Sequence, residues 1–137
     1  MVMSPLDRLN YFKGILLLAR EQRRDNKLEQ DDIRKIATIL RFDSLFYDFT
    51  LNGVINSLQL MGEPLLFSSE QMAEIFVKDS LKIAADKGFL IPKVVHWLLQ
   101  VVIHNKLNSE WFFEEIFVLL KPAGNIKGSS LEIERYV

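Results

Sequence analysis

The sequence predicts an all-α protein, a single domain built as a bundle of about six helices. Three observations carry that expectation. Apolar residues recur at three- and four-residue intervals over most of the 137-residue chain, the period that draws one stripe along a helix. Serine, asparagine, proline and glycine stand where those stretches begin and end, as caps and breaks require. No alternating strand pattern of useful length precedes the C-terminal tail.

The first helix starts at Ser4-Pro5, serine as N-cap and proline at the first helical position. Its stripe is Leu6, Leu9, Phe12, Ile15, Leu16 and Ala19. A second helix, from about Gln30 to Leu40, carries Ile33, Ile36, Ala37 and Leu40. Asp43 caps a third with Leu45, Phe46, Phe49, Val54, Ile55 and Leu58; Gly53 weakens it and Gly62-Glu-Pro64 ends it. Ser68-Ser-Glu-Gln71 has the form of a capping box and opens a fourth helix that runs to Lys87. Gly88 suits a left-handed helix end, and Pro92 starts a fifth helix that ends near His104. Eight of the eleven residues from Val94 to His104 are apolar, so this helix is expected to be the central one. Asn108-Ser109 caps a sixth, with Trp111, Phe112, Ile116, Phe117 and Leu120, and Pro122 closes it. The bundle domain is thus 4–121, and 122–137 is a loop-like tail.

The two halves match as two pseudo-symmetric helical-hairpin-plus-helix units. A shift of 65 residues pairs Tyr11 with Phe76, Leu16 with Leu81, Leu18 with Ile83 and Ala19 with Ala84. Past a longer first connector, the second helices pair at a shift of 62, Ile33 with Val95 and Ile36 with Leu98. The next starts pair at 65 again, Asp43 with Asn108.

Composition excludes several functions. Seventeen basic residues against eighteen acidic give a net charge of −1, no attraction for nucleic acid or an anionic membrane. There is no cysteine, hence no thiol chemistry and no disulfide. The apolar runs Ile15 to Ala19 and Val101 to Ile103 are too short to cross a bilayer. The N-terminus lacks a signal-peptide pattern, and the expected location is the cytoplasm.

The residues Lys78-Asp-Ser-Leu-Lys-Ile-Ala-Ala-Asp-Lys-Gly-Phe-Leu90, then Trp97-Leu98, then Asn105-Lys-Leu-Asn-Ser-Glu-Trp-Phe112, resemble the TerB-like helical domains named for tellurite-resistance proteins. Phe12-Lys-Gly-Ile-Leu-Leu-Leu-Ala19, Lys27-Leu28 and Asp32-Ile33 resemble that family's opening hairpin. The resemblance spans residues 8–118. It implies an all-helical fold and a part in stress-response or membrane-associated assemblies, with acidic residues after the hairpin corners associated with divalent metals. Those places fall on Asp32 and, in the second half, Val94, with Asp25 and Asp86 in the corners. Because Val94 departs from the pattern, no metal site is expected; Asp25, Asp32 and Asp86 are the candidates should one exist.

The remaining constellations read as structure. His96, Gln100 and His104 form a polar stripe on one helix, without the further ligands zinc needs. Arg20, Arg23, Arg24 and Lys27 are interleaved with Glu21, Asp25, Glu29, Asp31 and Asp32, a mixture unsuited to nucleic acid. There is no Ser–His–acid motif, glycine-rich nucleotide loop or His-Glu-x-x-His. The expected function is a non-catalytic interaction or scaffold domain without a cofactor. Its partner is another protein, a second copy included. The alternative is a metal- or ligand-responsive regulator built on the acidic first corner, Asp25, Glu29, Asp31 and Asp32.

Overall fold

Ser4 opens the first helix as its position promises, its Oγ accepting the N–H of Asp7 at 3.1 Å. In the computed structural model, which describes residues 3–21, 30–43, 65–88, 90–120 and 131–135, this helix is α1 (Pro5–Glu21). There follow α2 (Gln30–Ile39), α3 (Glu70–Lys87), α4 (Pro92–His104), α5 (Ser109–Leu120) and a short 3-10 turn, Glu132–Arg135. All regular structure among the described residues is helical. None of the described helices is long and apolar enough to cross a membrane. The helix expected after Asp43 lies outside the described residues.

Among the described residues helix α3, rather than α4, is the hub. It packs against α1, α4, α5 and the 3-10 turn, and it buries ten of its residues where α4 buries five. Helix α4 is rich in apolar residues, but Val95 and Leu99 are only half-buried and Ile103 is 49% exposed. Apolar content does not fix burial when one side of a helix has no neighbour among the described residues. Helix α1 departs from its expected single stripe in the opposite sense. Tyr11, Phe12 and the run Gly14 to Leu18 are all buried, whereas Leu6 is 63% exposed. At the α1–α3 crossing Phe76 meets Tyr11 edge-on at 5.7 Å, stacks on Phe67 at 5.3 Å and meets Trp97 edge-on at 6.1 Å. Gly14 admits the Phe76 ring; a Cβ there would stand 2.4 Å from it.

The approach to α3 is held by side chains from elsewhere. Asn105 accepts the Phe67 N–H at 2.9 Å and donates to the carbonyls of Leu65, at 2.7 Å, and Val101, at 2.8 Å. The buried carboxylate of Asp7 accepts the Ser68 N–H at 2.8 Å and the Ser68 hydroxyl. Ser68 is thereby engaged, and the cap of α3 falls one residue later than the capping box places it. Ser69, in extended conformation, accepts the Met72 N–H at 3.2 Å.

Helix ends follow local chemistry closely. Gly88 takes a left-handed conformation (φ 78°) after α3, and Asn108 Oδ1 accepts the Glu110 N–H at 2.7 Å at the start of α5. Helices α2 and α4 end alike, with Arg41 (φ 64°) and Lys106 (φ 63°) left-handed. The Phe42 N–H returns to the Ala37 carbonyl and the Leu107 N–H to that of Val102, both at 2.9 Å, a Schellman ending without glycine. These positions are 65 residues apart, as are the caps Ser4 and Ser69. The second helices start 62 residues apart, at Gln30 and Pro92, and end 65 apart, at Ile39 and His104. The shift of 65 pairs Ile33 with Leu98, Ile36 with Val101 and Ala37 with Val102, all buried.

The tail is not loop throughout. Ile133 is fully buried and the turn around it packs on α3, while 121–130 lie outside the described residues.

Candidate functional site

Helix α5 divides its apolar residues between two directions. Phe112 is fully buried, and Trp111, Ile116 and Leu119 rest partly buried against the core. Phe113, Phe117 and Leu120 face out, 47%, 73% and 65% exposed, with Val118 beside them. Positions 113, 117 and 120 follow the i, i+4, i+7 spacing that lines one side of a helix. Of the apolar residues expected on this helix, Phe117 and Leu120 lie outside the core. The stripe is tied to the interior through Phe113, whose ring meets that of Phe112 edge-on at 5.3 Å. Glu110 and Glu114 are exposed on its flank, and helical spacing puts them next to Phe113 and Phe117. Glu115, on the other side of the helix, lies 3.6 Å from Lys78 of α3. Burying an aromatic or leucine side chain fully contributes about 1.5–3 kcal/mol, and these side chains remain largely in solvent.

The other concentration of polar chemistry is interior. Asp79 of α3 accepts the Tyr11 hydroxyl at 2.6 Å, the Glu132 N–H at 2.7 Å and the Ile133 N–H at 3.0 Å. Burial pushes the Asp79 carboxyl up to about 6, against the three donors, which pull it down. Burial, and then the neighbouring carboxylate, hold the Tyr11 hydroxyl well above its ordinary value. Asp79 is closed to solvent and accepts three hydrogen bonds from the protein, which suits holding a segment in place. No sequence motif marks this centre. The signal is one of position: Asp79 lies three residues after Phe76 and four before Ile83, within the apolar face of its helix.

Of the metal candidates only Asp86 has a described side chain. Asp25 and Glu29 lie outside the described residues, as do the side chains of Asp31 and Asp32. Asp86 is exposed on the last turn of α3. Val94, standing where the TerB-like pattern has an acid, is fully buried, a place hostile to an unpaired carboxylate. His96 and His104 are exposed, and His104 Nδ1 is 2.8 Å from the backbone oxygen of Gln100. No group of three or more metal-binding side chains gathers among the described residues. A shallow recess lined by Pro5, Arg8, Arg41, Phe42 and Asp43 sits where α1 begins and α2 ends. Compared with known proteins, the chain matches no family model, no curated protein and no solved structure.

Proposed function

We propose that this chain is a non-catalytic helical interaction domain that engages another protein through the outer face of α5. The exposed stripe Phe113, Phe117 and Leu120 carries the proposal. Contiguous exposed apolar side chains at helical spacing suit a partner surface better than water. The partner suited to this face is an amphipathic helix with its own apolar residues at i, i+4 and i+7. Lysine or arginine on its flank complements Glu110 and Glu114.

Within the same reading the domain is built from two related halves. The recurrence of caps and helix endings at 65 residues supports this, as does a reciprocal contact at the α1–α3 crossing. Tyr11 reaches Asp79, and its counterpart Phe76 lies against Gly14, the counterpart of Asp79. The TerB-like character of the chain, its place in a stress-response assembly and its cytoplasmic setting belong to the proposal too and rest on the sequence resemblance and composition.

Photo-crosslinking in the native host tests the interaction. A crosslinking amino acid at position 117 should yield discrete protein adducts, while one at the exposed Lys35 should not. Equal, diffuse adducts from both positions would count against the α5 face.

A further inference from the structure

Asp79 is a buried carboxylate with a specific cargo. Two of its three donors, the N–H groups of Glu132 and Ile133, belong to the first residues of the 3-10 turn. A short turn cannot satisfy its own leading amides, so Asp79 serves as its N-terminal acceptor from another part of the chain. Beside that bond Ile133 is fully buried, and Leu131 packs partly buried on the same core. Lys78, the residue before Asp79, stands 3.6 Å from Glu132 and 3.6 Å from Glu115. Contact therefore combines two backbone amides on a carboxylate, one aliphatic anchor and one carboxylate on a lysine.

We infer that the surface around Asp79 is a docking site for a short segment of this pattern, and that the chain's own turn at Leu131–Arg135 is its exchangeable occupant. Tyr11 makes the exchange feasible. Its hydroxyl donates to Asp79 independently of the turn, so a departing segment would leave the carboxylate one donor in the core. The turn is also a small unit beside the helices, and small units open locally before the whole fold does. Position 14, 65 residues before Asp79, is glycine, so a helix in this setting forms without a carboxylate there. The carboxylate is explained by what it holds.

Hydrogen exchange of the full chain at low urea is the first test. The Glu132 and Ile133 amides should exchange at least tenfold faster than those of Phe76 and Val77, through an opening with little urea dependence. Equal rates with equal urea dependence would overturn the inference. The second test adds a fluorescent peptide of residues 129–137 to full chains. The parent should bind it weakly, because its own turn competes at high effective concentration. The Ile133→Asp chain should bind it at least tenfold more tightly, and adding Asp79→Asn should remove that gain. An Ile133→Asp chain that binds no better than the parent, or that loses its helical circular dichroism, would show the turn to be a fixed part of the core.

Discussion

Gly14 of α1 lies so close to the ring of Phe76 of α3 that a Cβ at position 14 would stand 2.4 Å from it. The same added atom would lie 2.7 Å from Leu65. Alanine at an ordinary helix position gains about 1 kcal/mol over glycine. Here overpacking, which typically costs about 1–3 kcal/mol, should reverse that sign. Gly14→Ala is expected to lower the urea midpoint without changing the slope, and Phe76→Leu in the same chain to recover part of the loss. A midpoint at or above the parent's would show that the helices can part at no cost.

The buried Asp79 predicts a pH dependence with a definite sign. Its carboxyl is raised from 3.8 to about 6, chiefly by burial, so the folded state holds this proton more tightly than the unfolded chain does. The stability it contributes is fully present below about pH 4 and is lost as the pH rises through about 6. The span is on the order of 3 kcal/mol at most. Measured by denaturant unfolding, parent stability relative to Asp79→Asn should fall from pH 4 to 6 and level off above. Parallel profiles would contradict the assignment.

At Gly88, with φ 78°, a side chain meets the left-handed penalty of about 1–2 kcal/mol, more for a β-branched residue. Gly88→Val should therefore lower the thermal midpoint while Lys87→Ala leaves it nearly unchanged. Equal midpoints for the two variants would refute the helix-end geometry.

On α4, Leu98 is fully buried and Gln100 only half-buried. Leu98→Ala should cost about 2–5 kcal/mol, and Gln100→Ala within about 0.5 kcal/mol of nothing. Equal small losses in equilibrium unfolding would remove Leu98 from the core.

Signals that act over a few residues were readable in advance. Ser4, Asn108 and Gly88 cap helices because their side chains or backbone freedom solve a problem one turn away. What depends on distant neighbours was not. Ser68 and Ser69 compete for one cap, and the winner is decided by Asp7, 61 residues earlier. Phe112 and Phe113 are identical in type, yet one is interior and one exposed, because only the packing of α5 on α3 and α4 separates them. Asp79 reads as a polar interruption until Tyr11 and the turn are seen to converge on it. The acidic first corner, Asp25 to Asp32, offered carboxylates among arginines and lysines, and local sequence does not say whether they meet.

The central claim is that Phe113 and Phe117 face outward for a partner and add little to the domain's own stability. Equilibrium unfolding of the Phe113→Glu, Phe117→Glu double variant tests it most directly. The account predicts an unfolding free energy within about 1.5 kcal/mol of the parent, the loss coming from the Phe112–Phe113 ring contact and the added like charges. Phe112→Ala, by contrast, should lose about 3–5 kcal/mol. A loss of about 2 kcal/mol or more in the double variant, independent of protein concentration, would place the stripe inside the protein's own core and contradict the account.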